Sequence, residues 1–277
     1  MYDAGHAGDR TVEIMYRQGC VRAKFSSDYT FSYPNTTKVT GKILLETIPS
    51  IAGVVNQFRV DRIFAKDHSP CALLARPFTI DGIQCDVTAS TVTPLDPCTG
   101  ATGDWIMTYG STLSPNVDVN VYYIGRNGGF NNTDQLVEQY KEMVKYGSSK
   151  TGKYIVIGFH EPISKLKTIR NVDETYVEKM EQAFGKHFLN LNKEIRLRAA
   201  ELTYRTGIYD VLYGFYMNEE DYTSVTQKGD IPISLYKPDV MHPNEEGANA
   251  FAILIHDKMV KLGYLDDYYI LSTGGDL

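Results

Sequence analysis

The chain of 277 residues has no apolar run near the ~18 residues that a membrane-spanning helix needs. Its richest apolar stretch, Tyr154-Ile155-Val156-Ile157-Gly158-Phe159, has the length of a strand. It also lacks an excess of positive charge. Lys and Arg total 28 against 34 Asp and Glu, a net charge of -6, so the clustered basic footprint of a nucleic-acid binder is missing. Cysteine is scarce, with four residues at Cys20, Cys71, Cys85 and Cys98, and none shows the C-x-x-C spacing of a zinc or redox motif. Three of them fall in one β-like region, where a disulfide and free buried thiols are both open. No signal-peptide pattern opens the sequence, and internal repeats and low-complexity tracts are absent.

What remains is the composition of a soluble globular protein, 43% hydrophobic and 22% charged, long enough for one large domain or two modest ones. Three blocks divide it. Residues 1–22 read as a loop and a short helix, with Asp9 or Thr11 as cap, Val12, Ile14 and Met15 as apolar contacts, and Gly19 as the stop. Residues 23–116 are rich in Thr, Ser, Val, Ile, Phe and Tyr, with Gly and Pro punctuation and no helical period. This predicts a β-rich module with strands over 29–33, 38–45, 57–63, 73–80, 84–88 and 105–109.

Residues 117–277 alternate between strand and helix patterns. Strands are expected at 119–124 and 154–159, with a short one before Leu191. Asn132 followed by Gln135 is a capping-box spacing for a helix whose apolar face is Leu136, Tyr140, Met143 and Val144. Further helices are predicted over 173–184, 191–206 and 245–262. The last is capped by Asn244 and stopped by Gly263, with Ala248, Phe251, Ala252, Ile255, Met259 and Leu262 on its inner face. Such alternation implies an α/β fold with a parallel sheet covered on both faces.

Three short segments carry chemistry. Asp239 stands three residues before His242, so a carboxylate can hold one nitrogen of an imidazole and leave the other to act as a general base. Gly125-Arg126-Asn127 closes a predicted buried strand, where an Asn amide can donate to a developing oxyanion. Gly8 precedes a helix start, where a backbone N–H can do the same. Alone, each has an ordinary structural explanation: a helix N-cap turn, a strand-to-helix turn and a loop glycine.

Together and in this order the segments resemble the SGNH, or GDSL, hydrolases. The start is similar to members carrying N-G-G-x-G-G-E-T-x-x-x-I-A-x-R-Q-G. Arg17-Gln18-Gly19 matches well, whereas Asp3, Ala4 and Ala7 depart. The resemblance covers residues 1–20 and about 117–265. It implies a flavodoxin-like three-layer parallel sheet with a β-rich insertion and serine esterase activity on small acyl esters, with O-acetyl groups on carbohydrate as one substrate class. It implies His242 as general base, Asp239 as its orienting acid, and Asn127 and the Gly8 backbone as oxyanion donors. No cofactor and no metal follow from it, since Asp239 and His242 are two ligands where zinc normally takes three.

The family's nucleophile is a Ser in a G-D-S motif after the first strand, and no residue here matches it. Ser111 lies at the wrong end of its strand, and Ser234 lacks a strand-to-helix elbow. The expectation is a chain shortened before Met1, one completed by a complementing segment or oligomer, or a degenerate hydrolase serving as a carbohydrate- or protein-binding module. The aromatic residues Tyr29, Phe31, Tyr33, Phe58, Phe64, Trp105 and Tyr109 are the sequence basis for glycan binding, with core packing as their simpler explanation.

Overall fold

The computed structural model describes residues 9–27, 29–39, 42–54, 57–59, 78–80, 83–88, 91–98, 107–108, 119–147, 152–205 and 218–265. The chain forms two compact units. One comprises Met1–Asp118 with Ile124–Gly152, and the other Val119–Tyr123 with Lys153–Leu277.

The first unit begins with helix α1, Thr11–Gln18. The backbone N–H of its N-cap, Arg10, donates to Glu13 Oε2 at 2.6 Å, which anchors the first turn. Val12, Met15 and Tyr16 are buried, while Ile14 is only partly so. Gly19 ends the helix in the left-handed conformation, φ 95°, with its N–H on the Met15 and Tyr16 carbonyls.

Among the described residues eight short strands follow: β1 (Ala23–Phe25), β2 (Thr37–Lys38), β3 (Lys42–Leu45), β4 (Gln57–Arg59), β5 (Phe78–Ile80), β6 (Ile83–Thr88), β7 (Thr91–Pro94) and β8 (Met107–Thr108). They form one sheet in the order β2-β7-β6-β5-β8-β1-β3-β4, with every pairing antiparallel. The β-rich composition of this region is thus expressed as strands, but their bounds move. The predicted strand at 29–33 is a single bridge at Phe31, the predicted strand at 38–45 is split into β2 and β3, and β1 and β7 occupy segments where none is predicted. Phe31 is instead a core residue, 1% exposed, with its ring 6.2 Å from that of Phe25. Tertiary burial set its role, and burial is what its β-propensity had signalled.

Helix α2, Thr133–Gly147, completes this unit. Asn132 Oδ1 accepts from Gln135 N at 2.9 Å, the cap expected from the spacing, while Gln135 Oε1 accepts from Asn131 N at 2.7 Å rather than from the N–H of Asn132. Leu136, Val137, Tyr140 and Met143 are buried. The Tyr140 hydroxyl lies 3.0 Å from both the N–H and the carbonyl of Ile124, and burial pushes its pKa up.

The second unit is α/β. Strands β9 (Asn120–Tyr122), β10 (Tyr154–Ile157) and β11 (Phe188–Leu189) form a parallel sheet in the order β11-β10-β9. Around it lie α3 (Ile163–Arg170), α4 (Tyr176–Phe184), α5 (Leu191–Leu197), α6 (Ala199–Arg205), α7 (Glu219–Thr226) and α8 (Glu245–Lys261). The core joins Ile155 and Ile157 to Leu191, Ile195, Leu202, Ile231, Leu235, Ala250 and Leu254. Two expectations change here. The span 191–206 is two helices, broken at Arg198. Helix α8 packs Phe251, Ile255, Met259 and Leu262 against the core as expected, but Gly247, Ala250 and Leu254 are its most buried residues, whereas Ala248 and Ala252 are exposed. Gly247 fixes that rotation, because a Cβ there would meet the Leu235 carbonyl oxygen. Among the described residues no helix is long and apolar enough to cross a membrane.

Candidate functional site

Asp239 and His242 are brought together by one tight turn. Asp239 Oδ2 lies 2.8 Å from His242 Nδ1, while Oδ1 accepts the backbone N–H groups of Met241 and His242, both at 2.9 Å. The His242 backbone N–H, then its ring, then the Met241 N–H hold the Asp239 carboxyl well below the usual carboxylate range. A carboxylate whose folded pKa is depressed keeps its contribution above the unfolded value and loses it only as pH falls through the lower one. The clasp therefore persists through mild acid.

The turn is built from both flanks. Lys237 N donates to His242 O at 2.7 Å, Val240 N to Lys237 O at 2.9 Å, and Tyr236 pairs with Pro243 in an antiparallel bridge. Asn244 caps α8 by accepting from Gly247 N at 2.8 Å, and its amide donates to Ser234 O at 2.7 Å. Between Asp239 and His242 the chain needs a left-handed residue, and Val240 takes φ 53°. That conformation is unusual for a β-branched side chain and stores strain. Lys165 of α3 donates to the Val240 carbonyl at 3.1 Å. The His242 side chain is 60% exposed, so Nε2 is open to a reacting group once Nδ1 is held by the acid.

In the first unit, Asn127 sits on a loop made by Gly125, Gly128 and Gly129, at φ 101°, 75° and 97°. The loop grips the start of α1. Thr11 N donates to Gly128 O at 3.0 Å, Thr11 Oγ1 to Gly129 O at 2.8 Å, and Gln139 Nε2 of α2 also to Gly129 O at 2.8 Å. Asn127 Nδ2 donates to the Asp9 carbonyl at 3.1 Å, which uses one amide hydrogen and fixes the side chain's direction. The glycine-rich strand end and the segment following Gly8 are thus joined as one structural piece. Gly8 itself lies outside the described residues, as do Ser111, Cys71, Phe64, Trp105 and Tyr109.

Ser234 is engaged structurally: its hydroxyl donates to Asp221 Oδ2 at 2.8 Å, and its N–H to Asp221 Oδ1 at 2.8 Å. Cys20, Cys85 and Cys98 are free thiols, and burial pushes that of Cys20 up to about 12, a poor nucleophile. Among the described residues no three His, Cys, Asp or Glu side chains group as a metal-binding set.

One cluster escaped sequence reasoning. His160 and Glu161 follow β10 and are almost fully buried. His160 Nδ1 lies 2.8 Å from the Tyr123 hydroxyl, and Nε2 lies 3.7 Å from Glu161 Oε1. Their rank directly after a buried parallel strand, where α/β folds place ligand groups, was the available signal. Comparison of the chain with family models, curated proteins and solved structures finds no match.

Proposed function

We propose that the chain carries the acid–base half of an SGNH-type serine ester hydrolase, with a flavodoxin-like sheet as its scaffold. The reading rests on the Asp239–His242 pair. An acceptor-only carboxylate at 2.8 Å from Nδ1 selects the tautomer in which Nε2 is the base, and the exposed ring leaves that nitrogen free to take a proton from an alkoxide-forming hydroxyl. The order of strands β9, β10 and β11 is that of consecutive neighbours on one side of a doubly wound sheet, which supports the scaffold. In this mechanism a serine hydroxyl attacks the acyl carbon while His242 accepts its proton. Asp239 steadies the resulting imidazolium. His242 then returns the proton to the leaving alcohol. The resemblance assigns the oxyanion donors to the Asn127 amide and the Gly8 N–H. Small acyl esters are the substrate class, with carbohydrate O-acetyl groups among them.

The test is hydrolysis of an aryl acetate. The chain alone is expected to be inactive. Supplying a G-D-S strand–turn segment from the reading frame upstream of Met1, where one is encoded, should create activity. His242→Ala should then abolish it and Asn127→Ala should lower turnover by about 10²–10³. Activity of the chain alone that survives His242→Ala would sink the reading. A completed chain that stays inert while binding glycans or proteins would favour the non-catalytic module instead.

A further inference from the structure

A cavity of about 260 Å³ opens in the second unit, at the ends where β10 and β11 stop. That is the end of a parallel sheet at which α/β folds gather ligands, and the volume is just under the usual ~300–1,000 Å³ of small-molecule sites. Its floor is apolar and aromatic. Phe159 and Tyr176 both line it and are both nearly fully buried, with ring centroids 5.2 Å apart. Glu161 also lines it, with a side chain only 2% exposed. On another wall stand Lys193 and Arg196 of α5, both at the surface. The Lys193 ammonium has no hydrogen-bond or ion-pair partner among the described residues. Arg196 spends only Nε, on the Val225 carbonyl at 3.3 Å, and keeps its terminal nitrogens. Asn192 donates both amide hydrogens inward, to His160 O at 2.8 Å and Gly229 O at 3.1 Å, so its remaining capacity is an acceptor oxygen.

The charges are therefore segregated: a buried carboxylate beside two rings, with His160 Nε2 3.7 Å from one of its oxygens, and two cations at the surface. A purely anionic ligand would meet Glu161. A purely cationic one would have to pass Lys193 and Arg196. A neutral polyol would leave both ends of this field unused. We propose that the cavity binds a small zwitterion, with its ammonium held by Glu161 over the Phe159 and Tyr176 rings and its carboxylate held by Lys193 and Arg196. The aromatic floor suits an ammonium group through the negative faces of the rings, and the guanidinium suits a carboxylate through paired N–H groups. This site is independent of the hydrolase reading, because binding is measured with no ester present.

The experiment titrates the whole chain with 4-aminobutyrate and glycine betaine by calorimetry and by ligand-observed NMR. Butyrate, butylammonium and erythritol serve as probes of each charge alone and of neither. Saturable binding is expected for at least one zwitterion, with every control at least about tenfold weaker. Losing one charge-assisted contact is expected to weaken binding by about 10–100-fold. Glu161→Gln and Arg196→Ala should each do so. Since Glu161 is buried, its variant is first checked for folding by circular dichroism, and the exposed Arg196 variant decides the matter if the Glu161 variant is unfolded. Erythritol or a single-charge probe binding as tightly as the zwitterions, no saturation by either zwitterion, or zwitterion affinity unchanged in a folded Arg196→Ala protein would each overturn the proposal.

Discussion

The glycine loop at 125–129 and the turn at 237–244 both aim a polar side chain, and they do so by opposite means. The first spends three glycines on positive φ and leaves Asn127 to be positioned from outside, by α1 and α2. The second uses no glycine within the turn. It forces Val240 into the left-handed region and holds it there with Asp239, which clasps two backbone N–H groups and the imidazole at once. In the turn the functional carboxylate is also the structural one. In the loop, function and scaffolding reside in different residues. Damage to the loop's scaffold should therefore misplace Asn127 without touching it, whereas damage to the turn changes geometry and chemistry together.

That contrast can be broken or sharpened by substitution. The largest effect is expected at Gly247, the glycine just beyond the turn. Gly247→Ala drives a Cβ into the Leu235 backbone, which cannot swing aside as a side chain can, so a loss of about 3 kcal/mol or more in urea denaturation is expected. Next is Gly129→Ala in the loop. It combines φ 97° with contacts of 2.6 Å to Thr11 Oγ1 and 2.8 Å to Arg10 Cβ, for an expected cost of about 2–3 kcal/mol. If Gly129→Ala were neutral, the loop would not be clamped as described.

Asn244→Ala removes the α8 cap and the bond to Ser234, and about 1–2 kcal/mol should go with them. Val240→Gly should act in the opposite direction. The side chain is 42% exposed, so little burial is lost, and relief of left-handed strain should stabilise the fold by roughly 0.5–1 kcal/mol. Destabilisation there would show that the strain reading is mistaken. The smallest effect lies in neither loop. Arg198, and next Arg205, draw the Glu201 carboxyl down to about 2 from 4.5, against the opposing effect of burial. A depressed carboxylate stabilises above its unfolded pKa and ceases to as pH falls through the folded one. Glu201→Gln should thus cost up to about 1 kcal/mol at pH 6 and nothing near pH 2, with the partly exposed pairing keeping the figure small.

Much of residues 117–277 is legible from the sequence. Asn132-x-x-Gln135 and Asn244 announced helix starts that side-chain hydrogen bonds then made, and Tyr154–Ile157 read as a buried strand because it is one. Asp239 and His242 were legible as a pair because their contact is local, three residues apart within one turn. The missing parts depend on distant contacts. The apolar spacing along α8 found Phe251, Ile255, Met259 and Leu262 against the core, but not that the close approach of Gly247 to Leu235 turns Ala248 and Ala252 outward. Helix α3 went unread because Pro162 and Ile163-Ser164-Lys165 offer no apolar period, and a single residue, Leu166, anchors it. The His160–Glu161 pair is not legible in the sequence, since nothing in a His-Glu-Pro string signals that Tyr123, 37 positions earlier, will meet the ring. In the β-rich region the composition gave the class of structure. The strands are too short, two to six residues, for pattern alone to fix their bounds.

The antiparallel sheet also has a temporal consequence. Ala23 of β1 pairs with Met107 of β8, so a strand near the start of the chain must wait for one made much later. At an elongation rate of about 5–20 residues per second, the interval between them is roughly 4–17 s on the ribosome. Through that interval β1 can zip onto β3 at Ala23–Leu45, but its other flank stays open in the nascent polypeptide. Closing so long a loop is slow next to forming the local β6–β7 hairpin, so the eight-stranded sheet should be the late-maturing part of the molecule and the one that most needs shielding while it is being made.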